Sequence, residues 1–151
     1  MRGQRFGAGR RGGELLLGLL VLPVVLAGCG EEPAAPPTAA GPGVGTVSTA
    51  ADGVQEITLQ TQDDYVFTPD RFTVDPGQVR VTVVNVAKEM THNFVFTPGA
   101  GPEEIREGIS LLAPGDEETI EFTVAAPGDH PFECSFHAQL GQVGTMTVRA
   151  R

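Results

Sequence analysis

One cysteine and two histidines are the residues of this chain best suited to bind a metal. Cys134 lies three residues before His137, and His92 lies far upstream. The other cysteine, Cys29, directly follows a sequence typical of a bacterial export signal. Because a free thiol in an oxidising compartment is oxidised or cross-linked, Cys134 needs protection. A metal ion that holds it as a thiolate would give that protection, with the two imidazoles as further ligands.

A thiolate and two imidazoles narrow the choice of metal. Zinc usually takes a fourth strong ligand, or keeps a position open for water in catalytic sites. The third histidine, His130, is too distant, because in an extended segment it lies about 13 Å from Cys134 at roughly 3.3 Å per residue. We therefore predict a structural role for His130. Two histidines and one cysteine with a weak axial fourth group are the ligands of mononuclear blue-copper sites, so the predicted cofactor is one copper ion.

The domain that positions these residues is predicted to be all-β. Polar and apolar residues alternate in short segments, which predicts strands over residues 56–60, 65–67, 72–74, 79–86, 93–96, 118–124, 130–134 and 143–149. Turn sequences such as Asp75-Pro76-Gly77 separate them. This pattern predicts a Greek-key antiparallel β-sandwich. One short helix is predicted over residues 102–107, where a proline and early glutamates suit a helix start.

The motifs around these residues resemble those of the cupredoxins, the family that includes plastocyanin, amicyanin and azurin. In that family an upstream His is followed by Asn and apolar residues, as in residues 91–96 here. A Cys, a His and an axial ligand then precede Gly-Thr and a last strand, as in residues 132–148. The resemblance covers residues 55–150 and implies a type 1 copper site with His92, Cys134 and His137 as ligands. It also implies that Asn93 joins the two ligand loops through hydrogen bonds.

The fourth ligand departs from the usual cupredoxin pattern. Members of the family usually have a methionine two residues before the Gly-Thr, and this position is Gln142 here. Stellacyanin-like relatives use a glutamine oxygen, so the resemblance implies Gln142 as the axial ligand and a low reduction potential for the class. Met146 is an alternative, although its place among threonines in the last strand favours a core position. A site without an axial protein ligand also remains open.

The N-terminal region has the features of a lipoprotein signal. Four arginines precede an apolar run over residues 15–26, which is shorter than the roughly 20 residues that span a bilayer. The run ends in Leu-Ala-Gly before Cys29, which resembles a lipobox, although an ordinary secretory signal would also end near Gly28. We predict a signal peptide over residues 1–28, lipidation of Cys29, a disordered tether over 29–50, and the cupredoxin-like domain over 51–151.

The charge of the chain restricts its partners. The whole chain has a net charge of −9, and the predicted mature chain has −12, with six basic and 18 acidic residues. Nucleic acid is therefore excluded as a predicted partner, because phosphate binding requires a basic face. The charge serves solubility, or it forms an acidic face that attracts a basic redox partner.

The predicted function is that of an electron carrier, lipid-anchored to the cell membrane on its extracytoplasmic side. Its predicted partner is a redox protein such as a cytochrome or an oxidase. Two other functions remain open: copper storage or delivery without redox turnover, and a metal-free interaction domain. An enzyme is not predicted, because a binuclear copper centre needs a second cysteine in the ligand loop and a catalytic copper site needs further histidines.

Overall fold

The structure is a computed structural model that describes residues 44–151. The predicted signal peptide, Cys29 and residues 29–43 of the predicted tether lie outside the described residues. Within residues 44–151, no helix has both the length and the apolar character needed to cross a membrane.

Ten strands account for most of the regular structure. They are β1 (Ser48–Thr49), β2 (Gln55–Thr61), β3 (Phe67–Thr68), β4 (Arg71–Val74), β5 (Gly77–Asn85), β6 (His92–Phe96), β7 (Gly108–Leu112), β8 (Glu117–Val124), β9 (Gly128–Glu133) and β10 (Val143–Val148). Strand β1 pairs with β2, so the paired structure begins inside the segment predicted as the tether.

The strands form two sheets of five. The first has the order β1-β2-β5-β8, with β3 also paired to β2, and the second has the order β4-β10-β9-β6-β7. The predicted β-sandwich is therefore confirmed. Each sheet also contains one parallel pair, β2 with β5 and β4 with β10. The sheets are mixed rather than wholly antiparallel because the chain passes through the other sheet between the two strands of each parallel pair. Alternation of polar and apolar residues predicts strands but not their direction.

The core lies between the two sheets and is rich in aromatic rings. Phe132 is fully buried, and its ring centroid lies 4.9 to 6.4 Å from those of four other phenylalanines. Strand β5 shows why these strands form, because every second residue from Val79 to Asn85 is buried. Aliphatic side chains from both sheets fill the remaining space; the fully or almost fully buried ones include Leu59, Val74, Val79, Val81, Val83, Ile109, Leu112, Val124 and Val148.

The helix predicted over residues 102–107 is wrong. This segment has no regular secondary structure, and strand β7 follows it within the same connection. Tertiary contacts override the local preference, because the Glu103 carboxylate accepts hydrogen bonds from the backbone N–H groups of Ala125 (2.6 Å) and Ala126 (3.0 Å). Ile105 is also buried in the core. The carboxylate that was expected to favour a helix start instead fixes the connection to the end of β8.

Candidate metal centre

Two neighbouring strands and one loop carry the predicted ligands. His92 is the first residue of β6, and Cys134 directly follows β9, which pairs with β6. His137 and Gln142 lie in the loop that connects β9 to β10. The site is therefore assembled only when β6 and β9 pair.

The four predicted ligand side chains converge on one point. The Sγ of Cys134 lies 3.9 Å from Nδ1 of His92 and 3.5 Å from Nδ1 of His137. The Oε1 of Gln142 lies 2.9 Å from Nδ1 of His92 and 3.1 Å from Nδ1 of His137. Among the described residues, the ligand atoms of the two histidines and the cysteine form one compact group, all within 4.8 Å of one another.

This donor set fits a copper ion. One thiol, two imidazole nitrogens and one amide oxygen face each other, and all four carry lone pairs that a single cation would satisfy together. A soft sulfur with two imidazoles and a weak oxygen is the set that suits mononuclear copper. The Nε2 atom of His92 is buried without a partner at full hydrogen-bonding geometry, while its Nδ1 atom points into the group. Nothing in this arrangement conflicts with the predicted cofactor.

The electrostatics of His92 favour a neutral ligand. Burial is the largest influence and lowers the pKa of His92, and the nearby His137 lowers it further. Contacts with Gln142 and with the Gln62 backbone oppose this shift without reversing it. Because metals bind the neutral imidazole, a lowered pKa keeps His92 ready to bind over a wider pH range.

The structure separates the two candidates for the axial position. Gln142 is fully buried with its amide oxygen among the histidine nitrogens. Met146 is also fully buried, but it belongs to the hydrophobic core and pairs with His130 in the register of β10 and β9. The side chain that reaches the group is therefore that of Gln142.

Asn93 connects the two ligand loops, as the resemblance implied. Its Nδ2 donates to Oγ of Ser135 at 2.7 Å, and its Oδ1 accepts from the Ser135 backbone N–H at 2.7 Å. The Asn93 backbone N–H also points at Sγ of Cys134, at 3.4 Å. A backbone hydrogen-bond donor therefore lies directly against the sulfur.

Backbone hydrogen bonds close the ligand loop tightly. The Cys134 N–H donates to the Gln142 carbonyl at 3.0 Å, and the His137 N–H donates to the Cys134 carbonyl at 2.9 Å. A short 3₁₀ helix, Ala138–Leu140, fills the middle of the loop, and Gly141 ends it at φ +97°. Glycine is favoured at position 141 because other residues rarely adopt this left-handed conformation.

Three residues around the group are not predicted from the sequence. Asp63 accepts hydrogen bonds from the backbone N–H groups of residues 88–90, just before His92, and these bonds lower its pKa. Tyr65, at φ +58°, places its ring 5.1 Å from the imidazole of His137. Thr61 accepts a hydrogen bond from Nε2 of Gln142 at 2.6 Å. Only Thr61 left a trace in the sequence, as a polar residue at an inward position of β2.

The third histidine has the structural role predicted for it. His130 is buried in β9, and its Nε2 donates to the Ala126 carbonyl at 3.0 Å. It is not part of the ligand group.

Comparisons with known proteins agree with this geometry. Residues 54–149 match the model of the copper binding proteins of the plastocyanin/azurin family. Plastocyanin from Nostoc punctiforme is 36% identical over 91 residues, which are 55% of this chain and 64% of that protein. Plastocyanin A/B from Petroselinum crispum is 35% identical over 99 residues, which are 62% of this chain and 98% of that protein.

A solved structure has a similar fold. Dithionite-reduced auracyanin from the photosynthetic bacterium Roseiflexus castenholzii is 27% identical, with a TM-score of 0.57 over 70% of this chain and all of that chain. The two histidines and the cysteine of the ligand group all lie within residues 54–149, the part of the chain that matches the family model. This chain belongs to the plastocyanin/azurin family of copper proteins, and its described domain is a cupredoxin.

Proposed function

We propose that this protein is a membrane-anchored type 1 copper protein that carries single electrons outside the cytoplasm. The proposed ligands are His92, Cys134, His137 and Gln142. The observation that carries the proposal is the convergence of their four donor atoms, with separations of 2.9 to 3.9 Å. Copper bound there supplies a one-electron couple, and the chain itself supplies no other redox group in the described residues.

The surroundings of the ligands suit electron transfer because they resist rearrangement. Cys134, His92 and Gln142 are fully buried, which keeps water away from the sulfur. Asn93 holds the two ligand loops at a fixed separation. A site whose ligands move little between oxidation states loses little energy to reorganisation when an electron arrives or leaves.

The surface near His137 supports an approach by a redox partner. His137 is half-buried, so it is the proposed ligand that reaches the surface. The neighbouring Phe136 and Leu140 are 51% and 60% exposed, and apolar side chains of this kind are common in docking surfaces. The net charge of −12 expected for the mature chain favours a partner with a basic face, such as a cytochrome or an oxidase.

Electron exchange and copper transfer make different demands on the protein. For an electron carrier, we expect the reduced, copper-loaded chain to reduce a basic cytochrome rapidly, with a rate that falls as salt is added. The copper content of the chain should stay constant during the reaction. Slow reduction together with loss of copper to an acceptor protein would instead indicate copper storage or delivery.

The membrane anchor is proposed from the sequence around Cys29. The lipobox-like segment and the short apolar run before it support lipidation at this cysteine. Labelled palmitate should enter the full chain in a bacterial host, and the Cys29→Ser variant should incorporate none and leave the membrane fraction. Equal labelling of the two chains would exclude Cys29 as the anchor.

A further inference from the structure

The side-chain amide of Gln142 bridges the two sheets of the sandwich. Its Oε1 lies 2.9 and 3.1 Å from the Nδ1 atoms of the two histidines. Its Nε2 donates to Oγ1 of Thr61 at 2.6 Å. Gln142 directly precedes β10 of one sheet, whereas Thr61 ends β2 of the other. Both residues are fully buried.

Thr61 occupies a place where an apolar residue would be expected. The buried residues of β2 are Ile57, Leu59 and Thr61, which alternate along its inward face. A hydroxyl at such a position is costly unless it has a partner. The Thr61 side chain bonds to Gln142, while its backbone carbonyl accepts from the Val86 N–H at 2.9 Å. The hydroxyl is therefore not needed for the pairing of β2.

We propose that Thr61 is a positioning residue that holds the Gln142 amide with its oxygen toward the copper site. Through this hydrogen bond, Thr61 would set the strength of the axial bond and hence the reduction potential. The inference rests on the proposed function, in which Gln142 is the fourth ligand.

The reason lies in the two ends of one amide. When Oε1 faces the ligand group, the NH₂ end is directed into the protein interior, where an unsatisfied donor is unfavourable. Oγ1 of Thr61 accepts one of these N–H groups. Without that acceptor, the buried N–H group is unsatisfied, which favours rotation or withdrawal of the amide. The Oε1 atom would then bind copper more weakly. A weaker axial oxygen stabilises Cu(II) less, so the potential rises.

A double-mutant cycle tests this inference with the full chain loaded with copper. The variants are Thr61→Val, Thr61→Ser, Gln142→Met and the double variant Thr61→Val/Gln142→Met. Thr58→Val is the matched control, because it changes another threonine of β2 that lies on the opposite face. The measurements are the midpoint potential and the visible and paramagnetic-resonance spectra of each protein.

The expected results separate the inference from the proposed function. Gln142→Met should raise the potential, and Thr61→Val should raise it too, whereas Thr61→Ser and Thr58→Val should leave it unchanged. Thr61→Val should have no further effect once Gln142 is methionine. A Thr61→Val shift that persists in the double variant, or an unchanged potential in Thr61→Val, would overturn the inference alone. An unchanged potential in Gln142→Met would remove Gln142 from the site, and it would overturn the inference together with the proposed fourth ligand but not the proposed electron transfer.

A second measurement does not depend on the folding of any variant. In the unmodified Cu(I) protein, nitrogen-15 resonance spectra should show that at least one side-chain amide proton of Gln142, the one bonded to Thr61, is protected from exchange with deuterated water. Rapid exchange of both protons would mean that the amide is not held by Thr61, and it would overturn the inference.

Discussion

Replacing Cys134 with serine is expected to abolish the intense visible absorption of the copper-loaded protein. The absorption of a type 1 site arises from charge transfer between a cysteine thiolate and Cu(II), and a serine hydroxyl stays protonated near neutral pH. Cys134 is fully buried among the proposed ligands, and the Asn93 N–H points at its sulfur. Absorption spectra and copper analysis of the purified variant measure the effect.

The other cysteine provides a matched control. Cys29→Ser removes the sulfur of a residue outside residues 54–149, the part of the chain that matches the family, so this variant should keep the full absorption per copper. If Cys134→Ser keeps the band, another group supplies the charge transfer and the proposed ligand set is wrong.

Among the substitutions considered, Gly144→Ala is expected to lower the free energy of unfolding most. A Cβ atom at this position would lie 2.3 Å from Cζ of Phe132 and 2.5 Å from the Asp70 carbonyl oxygen. Neither neighbour can move freely, because Phe132 is packed among four phenylalanine rings and the Asp70 carbonyl accepts from the Thr145 N–H. Overpacking of a rigid core commonly costs about 1–3 kcal/mol, and we expect about 3 kcal/mol here.

Thermal and urea unfolding of the metal-free protein measure this loss. At roughly 4–8 °C per kcal/mol for a domain of this size, Tm should fall by more than ~10 °C. Gly115→Ala is the control: Gly115 has φ +87°, but no atom lies within 4 Å of the added Cβ. That change should cost only the left-handed conformation, about 1–2 kcal/mol. A loss at position 144 no larger than at position 115 would mean that the core yields to the new methyl group.

The grouping of the proposed ligands could be predicted from sequence because the spacing of these residues carries the information. Cys134 and His137 lie in one short loop, and His92 begins a strand whose following residues have a distinctive pattern. Burial does not distinguish Gln142 from Met146, because both side chains are fully buried. In the sequence, the offset from Gly144-Thr145 favours Gln142, and in the structure its Oε1 lies beside the Nδ1 atoms of both histidines.

Features that depend on packing were not predictable from local sequence. The segment over residues 102–107 has the composition of a helix start, but Glu103 bonds to the backbone of residues 125 and 126 and Ile105 enters the core. Thr61 is 81 residues from Gln142, and only the packing of the two sheets brings them together. Gly144 makes room for the ring of Phe132, which also follows from packing and not from local sequence.

The most direct test of the central claim is a combined visible and paramagnetic-resonance spectrum of the full chain loaded with one equivalent of Cu(II). We expect stoichiometric binding, an intense thiolate-to-copper band, and the narrow copper hyperfine splitting that a thiolate ligand produces. All three should disappear together in Cys134→Ser. A pale protein with the wide splitting of copper bound only through nitrogen and oxygen would contradict a site built by His92, Cys134, His137 and Gln142.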